Sequence, residues 1–213
     1  KPAAIGRLAE IRQVIAGEKA TLGNPALGRL LDFAAEVGLV VLIHTDIERP
    51  FPKKGQVPIF AHQTKELFMR HPKTTIIWAH VGLGRVVRPM KDQLGIIERA
   101  LSTPSLSHLH IDLSWDETAK YIVSSPDTIA AMADLINRHP DRFLFGTDEI
   151  GPTDQRKYMH VYELYQPLWK LLDRRVKEQV CKGNFKRLFD RARHQVRAWE
   201  SARGLFAPRA APH

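Results

Sequence analysis

Four short apolar segments recur along the chain at a nearly constant spacing, and this recurrence restricts the possible folds more than any other feature. They are "LVVLIH" (39–44), "TIIWAH" (75–80), "LHIDLS" (109–114) and "RFLFGTD" (142–148), with starts 36, 34 and 33 residues apart. Each is rich in Ile, Val, Leu, Phe or Trp and short enough for a strand. Helical patterns lie between them. In "NPALGRLLDFAAEVG" (24–38), Asn24 can cap the N-terminus, Pro25 takes the first helical position and Gly38 stops the helix. "IFAHQTKELFMRHP" (59–72) ends at Pro72, "RPMKDQLGIIERALS" (88–102) follows the second segment, and "SPDTIAAMADLINRHP" (125–140) opens on Ser125 as cap. Strand and helix alternating at this period predict consecutive βα units around a parallel sheet. Helical repeats share the period but have no apolar strand in each unit. The first two segments are apolar on both faces up to their last residue, as in a parallel sheet covered by helices.

The 213 residues suffice for one large core, and 44% apolar with 26% charged residues is the composition of a globular chain. We expect a single domain over 1–213: an N-terminal helical segment (1–23), four βα units (24–153), C-terminal helices (154–205) and a tail (206–213). The C-terminal helices are expected at about 154–172, 173–181 and 184–204. No apolar run approaches the roughly 20 residues of a membrane helix. One cysteine, Cys181, excludes an intrachain disulfide framework; this fits a reducing compartment, and a cytoplasmic location is expected. Cys181 sits in the helical "RRVKEQVCKG" and reads as a small buried residue. The net charge of +9 is uneven, with 12 Lys or Arg against 4 Asp or Glu from Lys170 onward. That region has no recognised nucleic-acid motif, so it reads as a solvated helical face.

The polar residues fall in a pattern of their own. The first strand ends on His44, the second on His80 and the fourth on Asp148. In a parallel barrel these ends share one face, where active sites lie. Two imidazoles and a carboxylate there match a borderline divalent metal such as zinc, and acid–base work on a bound water. "HLH" (108–110) looks like a metal motif, but it starts the third strand, at the far end from His44, His80 and Asp148, and reads as structural. The working end of that strand is "DLSWDE", where Ser114, Trp115, Asp116 and Glu117 could line a pocket. His71 and His139 each precede a proline at a helix end, where an imidazole can cap free carbonyls. Glu149 reads as a rim residue, because strand alternation would point it away from Asp148.

Taken together, "AAEVGLVVLIHT", "HPKTTIIWAHVGLG", "DRFLFGTDEIGP" and "VCKGNFKRLF" resemble the amidohydrolase-2 branch of the metal-dependent amidohydrolase superfamily, over about residues 24–192. The resemblance implies a distorted (β/α)8 barrel of the TIM type and one divalent metal ion, zinc first, with manganese or iron as alternatives. By position, His44 resembles the fifth-strand metal ligand. His80 resembles the sixth-strand histidine, a ligand or an acid–base residue. Asp148 resembles the eighth-strand aspartate, which binds metal and handles the proton of the attacking water. Asn184 and Arg187 resemble structural positions of an Asn-capped closing helix.

One departure matters. The family's first strand carries a His-x-His pair that completes the metal site, and no such strand precedes His44. The chain shows about four βα units, the equivalents of strands five to eight, plus C-terminal helices. It reads as the C-terminal half of a longer barrel or as a half-barrel that pairs with another chain. Without the His-x-His pair the metal could be absent. The expected function is a metal-dependent hydrolase acting on an amide, ester or lactone. The alternatives are a decarboxylase or hydratase of aromatic or unsaturated acids, and a non-catalytic half-barrel binding protein. In the hydrolase reading, Asp148 and His80 are catalytic, His44 and Asp148 hold metal, and Arg85, Trp115 and Glu149 contact substrate. Arg85 and Arg88 could pair with a substrate carboxylate. The expected partners are a small-molecule substrate, an acid for instance, and either a second copy or the remainder of the barrel; nucleic acid and membrane are not expected.

Overall fold

The computed structural model describes residues 22–47, 59–84, 90–149, 151 and 154–205. The expected N-terminal helical segment and the tail therefore lie outside the described residues, apart from Leu22 and Gly23, as do Arg85 and Arg88.

Helix α1 (Pro25–Val37) shows how the local signals act. The Asn24 side chain accepts the backbone N–H of Ala26 at 2.9 Å. Leu31, Ala34 and Val37 form its buried stripe, and Gly38 ends it with φ 88°. A side chain at Gly38 would be strained in that conformation, and its Cβ would lie 2.3 Å from Cβ of Gln195 on the last helix. The position therefore requires glycine for two reasons.

Strand β1 (Val40–Ile43) follows, then α2 (Ile59–Arg70), β2 (Thr75–Trp78), a 3₁₀ turn (Ala79–Gly82), α3 (Gln93–Leu101) and a second 3₁₀ turn (Pro104–Leu106). Next come β3 (Leu109–Asp112), α4 (Asp116–Ile122), α5 (Pro126–Arg138) and β4 (Phe143–Leu144). The strands form one parallel sheet in the order β1-β2-β3-β4, with Val40 opposite Thr75, Ile76 opposite Leu109 and Ile111 opposite Phe143. Each strand therefore pairs with the next one in the chain, as consecutive βα units require.

Alternation along the strands separates two faces. Val41, Ile43, Ile76, Trp78, Leu109, Ile111 and Phe143 point into the main core with the helices. Val40, Leu42, Ile77 and Leu144 point to the other face and pack around Leu188. His110 and Asp112 alternate onto that second face, and both are buried.

Four boundaries differ from the sequence expectation. The helix expected from residue 88 begins at Gln93, because the buried Gln93 amide accepts the N–H of Met90 and donates to Val81 O at 2.7 Å, holding a turn ahead of the helix. The helix expected over 154–172 is broken at Tyr165 into α6 (Arg156–Leu164) and α7 (Gln166–Trp169). The breaks expected near residues 181–184 are missing: α8 (Arg174–Glu178) runs through a π turn (Gln179–Gly183) into α9 (Asn184–Ala202). Gly183 keeps helical angles there, and a glycine permits a stop without enforcing one. β4 is only two residues long, because the N–H of Phe145 turns to Val180 O at 3.0 Å instead of extending the ladder. The last helix also corrects the role of Asn184. It does not cap: its Nδ2 donates to Pro140 O and Phe143 O, both at 2.8 Å, while Arg187 donates to Asp141 O at 2.7 Å.

Candidate active site at the carboxyl edge of the sheet

His44 comes directly after β1. His80 does not end a strand, as the sequence suggested, but lies in the 3₁₀ turn two residues after Trp78. Asp148 lies four residues past the last strand residue. The three are nonetheless neighbours. The His44 and His80 rings meet edge to face with centroids 4.7 Å apart, and His80 Nε2 is 3.8 Å from Asp148 Oδ2. The Trp115 ring centroid is 5.2 Å from that of His80. His44 is half-exposed, with Nε2 3.9 Å from Asp46 Oδ1, while His80 is buried and Asp148 exposed.

Backbone strain marks the same place. Among the described residues, four non-glycine residues have positive φ: His80 (57°), Val81 (55°), Trp115 (86°) and Asp148 (55°). One is His80 itself, Trp115 and Asp148 lie beside its ring, and Val81 adjoins it in sequence. A β-branched residue such as Val81 rarely adopts this conformation, and strain of this kind collects where a site needs a particular geometry. The surroundings enforce it. Gln93 holds Val81 O, Leu83 N–H donates to His80 O at 2.9 Å, and Asp112 Oδ2 accepts the His80 N–H at 3.3 Å.

Asp112 is the residue that sequence reasoning missed. Its carboxylate also accepts the N–H of Ser114 at 3.1 Å and the Ser114 hydroxyl at 2.5 Å, and lies 3.6 Å from His80 Nδ1. Burial pushes its pKa up; the bonds from Ser114 and the charge of His80 pull the other way. A signal was available: a carboxylate inside "LHIDL" is an acid in an otherwise apolar strand, and such a group has to be partnered.

The remaining candidates fall as follows. Asp116 and Glu117 both pair with Lys120 on the surface of α4, at 2.9 and 2.5 Å. Glu149 is partly buried, its N–H directed at Thr147 Oγ1 at 3.4 Å. Residues 145–149 are not strand, so the alternation argument about its direction does not hold. Arg85 lies outside the described residues. His108 Nε2 is 3.0 Å from Phe68 O and His110 Nδ1 is 3.2 Å from His108 O, at the opposite edge of the sheet. His71 caps no carbonyl with its ring; Nδ1 pairs with Asp32 at 2.8 Å, because α1 brings that carboxylate within reach. Cys181 is partly buried, and burial pushes its thiol pKa up to about 11, which keeps it protonated and unreactive.

His44, His80 and Asp148 have the donor chemistry of a borderline divalent ion. Their spacing does not make a ligand set: among the described residues no group of three or more His, Cys, Asp or Glu could hold a metal ion. A zinc site needs three or four such donors. The residues described here do not by themselves fit the metal.

A sequential parallel sheet flanked by helices, with imidazole and carboxylate at its carboxyl edge, makes this an α/β protein with the strand order that TIM barrels use. The chain matches the amidohydrolase family model (amidohydrolase-2) over residues 10–191, and it belongs to that family. Its fold is similar to that of an uncharacterised TIM-barrel protein from Bordetella bronchiseptica, with a TM-score of 0.52 and 18% sequence identity. The match covers 80% of this chain and 52% of the other, so the chain spans about half the length of that structure. No curated protein matches the chain.

Proposed function

We propose that the chain carries the acid–base side of an amidohydrolase-type active site, which hydrolyses an amide, ester or lactone in a small, acidic substrate. The observation that carries this reading is the pair His80 and Asp148: a buried, held imidazole presents Nε2 to an exposed carboxylate at 3.8 Å. Asp148 takes a proton from the attacking water as its oxygen bonds to the substrate carbonyl. Asp148 passes that proton to His80 Nε2, and His80 delivers it to the leaving group as the scissile bond breaks. Trp115 offers a flat apolar wall beside them, and Arg85 and Glu149 are proposed to contact the substrate.

The metal dependence of the family carries over as part of the same proposal. His44 and Asp148 would hold the ion, zinc ahead of manganese or iron, and the further donors have to come from outside the described residues. The sheet is proposed to be one half of a barrel, the equivalents of strands five to eight, completed by the remainder of the barrel or by a second copy. Sequential parallel order and alignment to about half of a TIM-barrel structure support this. A cytoplasmic location belongs to the same proposal; among the described residues no helix is long and apolar enough to cross a membrane.

The test is a panel of amides, esters, lactones and aromatic or unsaturated acids, assayed with added Zn²⁺ or with chelator. Acid release is expected, falling at least about 10²-fold in His80→Gln and Asp148→Asn. Carbon dioxide release would move the assignment to a decarboxylase. Release of neither by the metal-supplied chain would overturn the enzyme reading. Steeply salt-dependent nucleic-acid binding would then favour a non-catalytic role.

A further inference from the structure

The ring of His80 can carry its neutral-state proton on either nitrogen, and the choice decides what the site can do. Nδ1 lies 3.1 Å from the backbone oxygen of Ser114, a group that can only accept. It also lies 3.2 Å from Ser114 Oγ. That hydroxyl has one proton, and Asp112 Oδ2 takes it at 2.5 Å, so lone pairs of Oγ remain to face the ring. Both neighbours of Nδ1 are therefore acceptors. We propose that Asp112, acting through Ser114, is a positioning residue that fixes His80 as the Nδ1–H tautomer and turns a bare Nε2 toward Asp148. The inference deepens the hydrolase reading and rests on it for the meaning of Nε2, but not for the tautomer itself.

The arrangement has a chemical consequence. A bare nitrogen and a carboxylate oxygen 3.8 Å apart repel unless something lies between them. A proton, a cation or a substrate O–H fits that gap, and an Nε2–H tautomer would close it with its own hydrogen. Fixing the proton on Nδ1 therefore keeps the working side of the ring open. Asp112 is suited to this task because each of its contacts is a donor: the N–H groups of His80 and Ser114 and the Ser114 hydroxyl. The carboxylate cannot return a proton to Oγ without losing this pattern.

Long-range ¹H–¹⁵N correlation spectra of the ¹⁵N-labelled 213-residue chain, in chelator, read the tautomer directly. His80→Gln identifies the signals. A protonated Nδ1 and a bare Nε2 are expected; a predominant Nε2–H form overturns the proposal. In Asp112→Asn the carboxamide N–H₂ donates to Oγ, the hydroxyl proton swings to Nδ1, and the Nε2–H fraction should rise at least about fivefold, the equivalent of one net hydrogen bond. Ser114→Ala removes the relay but leaves both backbone hydrogen bonds of Asp112, so it keeps the test open if Asp112→Asn does not fold. It should shift the ratio in the same direction. Unchanged tautomer ratios in the folded variants overturn the role of Asp112. The spectra require no turnover. A chain inactive on every substrate class would remove the hydrolase reading and leave the tautomer result standing, and an active chain with the wrong tautomer would do the reverse.

Discussion

The positive φ of His80 is a property of a few residues, and Gly82 is the one that a single substitution tests best. Gly82 has φ 70°, and a Cβ there would lie 2.7 Å from Trp78 Cζ2 and 2.9 Å from Ile47 Cδ1. Neither neighbour can move cheaply, since both side chains are fully buried. Gly82→Ala should cost about 2 kcal/mol or more in urea unfolding, combining left-handed strain with overpacking. It should also displace His80. An unchanged denaturation midpoint would show that the turn is not constrained as described. At this scale the sequence was partly legible. His44, His80 and Asp148 stood out because a polar residue after an apolar run is conspicuous. The left-handed His80–Val81 pair did not, because neither residue is a type that signals positive φ. Asp112 lay unread in a strand whose other residues advertised packing.

Elements were legible where local chemistry decides them. Asn24, Pro25 and Gly38 bound α1, and Ser125 accepts the N–H of Thr128 at 3.1 Å to start α5. They were not legible where tertiary contacts decide. The two-residue β4 is held not by its ladder alone but also by Asn184, which is buried and bonds the carbonyls on both sides of Asp141 and Arg142. "GNFKRLF" reads as a cap motif because Asn caps helices often; only the fold shows that the side chain points back to a strand. Asn184→Ala should therefore cost about 2–3 kcal/mol, since it leaves two carbonyls without their donor, one in the buried interior. Arg187→Ala should cost under about 1 kcal/mol, because its contact with Asp141 O is exposed. Urea unfolding compares the two. Equal costs would mean that the helix is pinned by its surface, not by Asn184.

The stability of the whole molecule should depend on pH through a histidine outside the candidate site. His110 is buried on the second face of the sheet, and burial, with smaller contributions from Arg142 and Arg187, lowers its pKa to about 4. An unfolded histidine titrates near 6.5. The unfolded state thus binds a proton that the folded state refuses between pH 6.5 and about 4. The stability tied to neutral His110 is fully present above pH 6.5 and is lost as pH falls through that window. The loss reaches about 3 kcal/mol near its acid end, at 1.36 kcal/mol per pKa unit. An exposed pair such as Arg193–Asp190 at 3.0 Å contributes little to stability, because water screens it. His108 and His139, whose pKa values burial also lowers, should add smaller losses of the same sign. Urea unfolding at pH 7, 6, 5 and 4.5 measures the slope. His110→Gln should flatten it while changing stability at pH 7 much less. If the variant kept the wild-type slope, the proton taken up on acid unfolding would have to be bound elsewhere, and the buried imidazole would not be the acid-sensitive element of this fold.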